Sequence, residues 1–393
     1  MPSVCLYLHI HQPFRIKKFS VFDIGNNQDY FDETKNKFYL ERIVKKSYEP
    51  TNKILLDLIK ETKGGFKVSF SLTGTFLEQI EKYYPSLIKS FQKLINTGCV
   101  EILAETYYHS LAYLYSKQEF KKQVFLHRQK IRELFGAETK VFRNTELIFN
   151  NEMASAINEL GYQAILAEGV DHLLGWRSPN FVYRAKTAEN LKILLRNYRL
   201  SDDISFRFSN RQWSEWPLTA DKFSFWINQI NGCGETVNLF MDYETFGEHQ
   251  WQETGIFEFL KKFPFKVLEH PDNNFKTPSE VISLYPARDV LDFPYLVSWA
   301  DIERDLSAWL GNAMQQKAIK ELYSLEEKIL ASKDPKIIED WRKLQTSDHF
   351  YYMCTKWFAD GDVHKYFNPY ESPYECFISF MNIINDLKIR LGC

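Results

Sequence analysis

Short apolar runs alternate with amphipathic stretches through the first three hundred residues, the pattern of a parallel α/β fold. Residues 4–10 read as a buried strand. A helix follows over 50–62, opened by Pro50, striped by Ile54, Leu55, Leu58 and Ile59, and ended by Gly64-Gly65. Residues 66–72 alternate as a strand. The stretch 85–97 turns Leu87, Ile88, Phe91, Leu94 and Ile95 to one side before Gly98, and 100–103 is a third strand. Ser116 and Glu119 form a capping box for a helix running to Phe135 and stopped by Gly136. Strands over 140–143, 164–167, 191–196 and 237–242 bring the set to seven, with helices over 151–160 and 219–230 between them.

Seven strands separated by helices predict an α/β fold, a seven-stranded parallel (β/α) barrel over residues 1–300. An open doubly wound sheet shares that periodicity. After Trp299 the pattern changes: 301–330, 335–344, 347–358 and 372–391 all read helical. The expectation is a helical C-terminal region, 301–393, that contributes to the substrate cleft.

Composition narrows the partners. The formal charge of −2 over 393 residues, without long basic runs, argues against nucleic acid or an anionic membrane. No apolar run approaches the roughly 20 residues that span a bilayer. The start of the chain lacks the features of a secretory signal, so the expected location is cytoplasmic. The six cysteines lie far apart, which suits reduced thiols better than a disulfide framework or a zinc site. Aromatic residues make up 16% of the chain. Most belong in a core, but Trp and Tyr also stack on sugar rings.

The strand ends carry the chemistry, because ligands of parallel α/β folds sit at the carboxyl ends of the strands. In chain order these ends offer His9-Ile10-His11-Gln12-Pro13; Gly74-Thr75-Phe76-Leu77-Glu78-Gln79; Glu105 with His109; Arg143-Asn144-Thr145-Glu146; Glu168 with Asp171-His172; Asp202-Asp203; and Asp242-Tyr243-Glu244-Thr245. A single histidine or aspartate there is commonly structural or a helix cap. Ionisable groups at all seven ends point to an active site on that rim. Dinucleotide, P-loop and serine-elbow motifs are missing from the sequence. His9 or His11 with Asp242 or Glu105 leaves a metal site open, although no dense ligand cluster demands one. Many carboxylates among aromatics suit glycoside hydrolysis, in which one carboxylate attacks and another protonates the leaving oxygen.

The first, second and fourth of these strand-end segments, with Met241–His249 and a fifth stretch from Ser298 to Asn312, resemble the ordered motifs of glycoside hydrolase family 57. The resemblance spans most of the chain. It implies a seven-stranded barrel followed by helices, retention of configuration and action on α-glucans, in a form most similar to the α-amylase-type members. It places the nucleophile at Glu146 and the general acid/base at Asp242.

Around that pair, His11 is the candidate sugar contact beside the nucleophile. Arg143, three residues before Glu146, is placed to hold its pKa down. His109, Glu78, Glu244 and Trp299 are further candidates. Asp301, Asp305 and Trp309 recur at i, i+4 and i+8, one face of a helix that could roof the cleft. Trp213 and Trp216 could line the leaving-group side or be buried. The expected substrate is an α-glucan or malto-oligosaccharide, with no cofactor and no metal. The alternatives are a 4-α-glucanotransferase using the same residues, a metal-dependent polysaccharide deacetylase, and a non-catalytic glucan-binding protein.

Overall fold

The first strand, β1 (Ser3–Ile10), is buried at every residue, as a strand covered on both faces must be. The structure is a computed structural model that describes residues 2–356 and 368–392. The following strands are β2 (Val68–Leu72), β3 (Val100–Ile102), β4 (Val141–Arg143), β5 (Ala164–Glu168) and β6 (Val182–Ala185). Then come β7 (Ala188–Arg196), β8 (Thr236–Asp242), β9 (Asn274–Phe275) and β10 (Val290–Leu291). The seven expected strands correspond to β1 to β5, β7 and β8.

Their pairing departs from the expected closed barrel. One five-stranded sheet runs β3-β2-β1-β8 with β9 on β1; the other runs β10-β6-β7-β5-β4. Two seams separate them. Between β3 and β4 a single bridge joins Ala104 to Phe142, because both strands are only three residues long. Between β7 and β8, side chains occupy groups that a ladder would use. The Asn238 amide donates to Leu195 O at 2.8 Å, and Arg196 Nε donates to Phe240 O at 2.8 Å. The hairpin strand β6, antiparallel to β7, and the two-residue strands β9 and β10 are too short to show a period in the sequence.

The helices follow the amphipathic stretches with instructive differences. Lys117–Phe135 starts at Ser116, whose hydroxyl accepts from Glu119 N at 3.1 Å, and ends at Gly136 with φ 62°. The second half of the expected capping box is missing: the Glu119 carboxylate takes Arg342 at 2.9 and 3.1 Å instead. Pro50 does not open its helix. Glu33–Ile43 continues through a π-turn, Val44–Tyr48, into Glu49–Glu61, and Pro50 sits in the first turn of that last piece. The wider turn carries Tyr48 to Glu244, to which its hydroxyl donates.

The expected helix over 301–330 is broken into Ser307–Leu310, Ala313–Ser324 and Glu326–Ser332. Asn312 caps the second piece through its side chain, and Asp301 and Arg304 adopt φ 54° in a turn. Pro335–Leu344 and Pro373–Arg390 are helical as expected. Of the expected helix over 347–358, only Ser347–Tyr351 is helical; residues 352–356 form a turn and irregular chain, and 357–358 lie outside the described residues. Among the described residues, no helix is long and apolar enough to cross a membrane.

The C-terminal helices share one hydrophobic core with the second sheet: Trp341, Phe350, Phe380 and Ile383 belong to the cluster of Phe142, Phe149 and Ile165. Trp341 is fully buried, and its indole N–H donates to Leu322 O at 3.0 Å. Trp341→Ala is expected to lower the unfolding free energy by about 3–5 kcal/mol through cavity formation. Urea denaturation measures this, and a loss under about 1 kcal/mol would show that the region does not share the core.

Candidate active site

Parallel register sets the first contacts of the site. His9 pairs across the sheet with Ser71 of β2 and Asp242 of β8, so these side chains share the same rim. His9 Nδ1 lies 3.6 Å from Asp242 Oδ1, and His9 Nε2 lies 3.2 Å from Glu105 Oε2. Glu105, just beyond β3, is completely buried. Four residues on, His109 brings Nδ1 to 3.5 Å from that same Glu105 oxygen and Nε2 to 2.9 Å from Glu146 Oε1. Glu146, Asp242 and the groups between them therefore form one line of five side chains: Glu146, His109, Glu105, His9, Asp242.

Both Glu146 (φ 56°) and His109 (φ 50°) adopt left-handed backbone conformations, uncommon outside glycine. Such strain persists only where surrounding contacts impose it. Here Trp299 N donates to Glu146 O at 3.2 Å and Ser347 N to His109 O at 2.9 Å. The Trp299 indole N–H also donates to Glu146 Oε2 at 2.7 Å, and Ser347 Oγ approaches Oε1 at 3.5 Å.

Charges along the line follow from these contacts. Burial alone would lower the His109 pKa, yet Glu105 and Glu146 raise it to about 9, which favours an imidazolium that donates from Nε2 to Glu146 and turns Nδ1 toward the Glu105 charge. Burial pushes Glu146 up, but the His109 bond and charge, then Arg143 and Trp299, hold it below the usual range as an anion. Glu105 is held well below its ordinary value against burial, chiefly by His9 and His109. Asp242, also pushed up by burial, is held down by His9. Its neighbour Glu244 goes the other way: burial, then the charge of Asp242, raise it to about 8. Gln12 Nε2 lies 3.5 Å from the Glu244 oxygen that Tyr48 also contacts.

Arg143 is fully buried and does not line the cleft. Its guanidinium lies 5.0 Å from the Trp299 ring, and its three side-chain nitrogens have no hydrogen-bond partner among the described residues. It acts on Glu146, Glu105 and Asp242 as a charge from behind. His11 is clamped by Thr73 Oγ1 at 3.0 Å and Asp348 Oδ2 at 2.9 Å, stacked on His109 at 4.2 Å, and lowered by burial to a pKa of about 4. It is a neutral imidazole at neutral pH.

Two sets of donors could hold a metal: His9, Glu105 and His109, and His11, His109 and Asp348, each with one atom per residue mutually within 4.8 Å. The sequence left His9 with Glu105 open as metal ligands but not His109 as the third donor, and its expectation of no dense ligand cluster does not hold among the described residues.

These groups open into a cleft of about 1160 Å³. Of the expected site residues, Glu146, Asp242, His11, His109, Glu244, Trp299, Asp301 and Trp309 line it. Glu78 does not; it lies behind the wall, accepting from the Tyr107 hydroxyl at 2.9 Å. Asp305 does not either, because the turn at 301–304 breaks the expected helical face and its carboxylate instead accepts from Ser307 N at 2.8 Å. Trp309 touches the cleft but is 1% exposed and packs near Tyr351, so it offers no open stacking face. Trp213 and Trp216 are not among the lining residues; Trp213 packs against Trp226.

Sequence reading missed Asp348, Ser347, Tyr48, Phe206 and Trp251. The only available signal for the first two was the polar Ser347-Asp348-His349 run inside an apolar helical stretch.

The sequence profile of Glycosyl hydrolase family 57 matches residues 5–294. A protein of Methanocaldococcus jannaschii named "Putative alpha-amylase" is 43% identical over 392 residues, covering 96% of this chain and 82% of its own. The fold is similar to that of the 4-alpha-glucanotransferase from Thermococcus litoralis, with TM-score 0.65, 18% identity and 89% of this chain covered. This chain spans 56% of that protein's length. The branching enzyme of Pyrococcus horikoshii aligns with TM-score 0.69 and 15% identity over 93% of this chain and 87% of its own.

The raised Glu244 has a stability consequence. Between its unfolded pKa, about 4.3, and about 8, only the folded chain keeps the proton. Its contribution is therefore fully present below the unfolded value and lost as pH rises through the folded one. Glu244→Gln, uncharged at every pH, should show a flatter stability profile than the wild type between about pH 5 and pH 8 in denaturant titrations. Parallel profiles would mean that Glu244 is already ionised in the folded chain.

Proposed function

The chain belongs to glycosyl hydrolase family 57, and on that premise we propose that it is a retaining enzyme of α-1,4-linked glucans, of α-amylase type. The observation that carries this reading is the line from Glu146 to Asp242, which ties two cleft carboxylates of opposite task into one buried frame. The relative named for α-amylase supports the substrate class. The parallel order of β1 to β5, β7 and β8 supports a barrel scaffold of seven strands, opened at its two seams.

Glu146 is the nucleophile. It is anionic, and both its oxygens are oriented by N–H donors. One oxygen attacks C1 while Asp242 gives its proton to the departing sugar oxygen, leaving a glycosyl ester on Glu146. Asp242 then takes a proton from water, or from a sugar hydroxyl, as that oxygen attacks C1 and frees Glu146. Asp242 suits the exchange because its side chain is 40% exposed to the cleft, whereas Glu244 is held by Tyr48 and Gln12. A glucan filling the cleft displaces water from Asp242 and raises its pKa toward the acid form. His11, neutral and fixed, offers a contact to the sugar beside C1.

A second reading is a metal-dependent hydrolase such as a polysaccharide deacetylase, favoured by the His9, Glu105 and His109 donors, a set that zinc enzymes use. The carboxylate reading draws support from the outer nitrogens of both histidines facing Glu146 and Asp242, and from the buried Arg143 charge, which opposes a cation nearby. Elemental analysis of purified protein separates the two. A stoichiometric divalent ion whose removal abolishes activity supports the metal reading.

Incubation with maltoheptaose should give shorter malto-oligosaccharides, resolved by length. Glu146→Gln should reduce that turnover at least about a thousandfold, several kcal/mol of barrier, in a variant whose cooperative unfolding transition shows that it is folded. Near-normal activity in the folded variant would remove Glu146 from the role. Glu105→Gln keeps the volume but takes the charge from between the imidazoles. It should lower kcat at least about tenfold, roughly 1.4 kcal/mol of barrier, with KM within about twofold. A change in KM alone would show that Glu105 does not act through the catalytic pair.

A further inference from the structure

The loop that leaves Asp242 carries an exposed indole into the cleft. Trp251 is 57% exposed and Phe206 is 62% exposed, and both line the cleft. Large apolar side chains left open to water are common singly, but these two line the same cleft and flank one buried hydrogen bond. Gln250, 4% exposed, donates from Nε2 to Ser205 O at 2.7 Å, so each end of that bond is one residue from an exposed ring.

The loop is rigid behind the rings. Gly247 N donates to Gln250 O at 2.9 Å, His249 N to Glu244 O at 2.8 Å and Gln250 N to Thr245 O at 3.1 Å. Gly247 has φ 104°, and a Cβ there would meet Lys46 O at 2.0 Å, so only glycine lets the loop lie on the π-turn. Lys46 Nζ stands 6.0 Å from the Trp251 ring centroid, and Arg42 and Glu248 pair alongside. A half-exposed indole on a hydrogen-bonded loop, with charged side chains beside it, suits a pyranose ring, which has an apolar C–H face and a polar edge.

We propose that Trp251 and Phe206 form a subsite for an α-glucan segment on the leaving-group side of the cleft. The side follows from Asp242: the group that protonates the leaving oxygen stands at the start of this loop, so the departing chain lies along it. Once the departing chain has left, a second glucan bound there is positioned as the acceptor: its hydroxyl attacks C1 of the glycosyl ester, gives its proton to Asp242 and frees Glu146, in competition with water. The subsite thus governs the balance between transfer and hydrolysis. This inference rests on the α-glucan reading above.

Calorimetric titration of maltoheptaose into Glu146→Gln protein, with and without Phe206→Ala/Trp251→Ala, tests it. The added pair should weaken binding at least about tenfold, with the loss growing from maltose to maltoheptaose. Trp176→Ala, which removes an 87% exposed ring outside the cleft, serves as control. In catalytically intact protein the pair should also lower the share of products longer than the substrate. Equal affinity with and without the pair, or an equal loss in the control, overturns the subsite. Failure of Glu146→Gln protein to bind maltoheptaose at all removes the α-glucan reading and the subsite with it.

Discussion

A single carboxylate buried between two imidazoles organises the site. Glu105 is closed to solvent, yet it stays charged because His9 and His109 both face one of its oxygens. A buried charge without such partners would cost several kcal/mol. The same pairing leaves each histidine one outer nitrogen, and those nitrogens face Asp242 and Glu146. The two cleft carboxylates are thus tied to a third that is buried and does not line the cleft. The left-handed backbone at His109 and Glu146 is held by bonds from Ser347 and Trp299, so the C-terminal part of the chain fixes the geometry that the strands begin.

Much of this was readable from the residues. The strand ends His9, Glu105, Glu146 and Asp242 are identifiable because strand periodicity places them, and parallel folds collect ligands there. The roles proposed for Glu146 and Asp242 come from the resemblance to the ordered family motifs, not from periodicity. What could not be read is anything set by contacts between distant segments. Glu105 gave no hint that it would lie between two histidines, because that depends on strand register and on a turn at His109. Asp348 reaches His11 from 337 positions along the chain. Asp305 looked placed for the cleft only on the assumption of an unbroken helix, which Asn312 and the turn at 301–304 interrupt.

The seams between the sheets have the same origin. Strand count follows from hydrophobic runs, but closure depends on whether neighbouring strands are long enough to pair and whether side chains take the ladder's groups. Asn238 and Arg196 do so between β7 and β8, and neither reads as anything but a polar residue in the sequence. Arg196 also pairs with Glu168 at 3.1 Å, so the polar seam continues into the rim network.

The central claim is that Glu146 forms a glycosyl ester and Asp242 supplies the proton and then the base. Asp242→Ala supplied with an α-maltosyl fluoride, whose leaving group needs little protonation, isolates the second step. Added azide can enter the face that the missing carboxylate vacates. The account predicts accumulation of the ester on Glu146 and its conversion by azide to an α-glycosyl azide, read by nuclear magnetic resonance. A β-glycosyl azide would show direct displacement at C1 without an ester and contradict the mechanism.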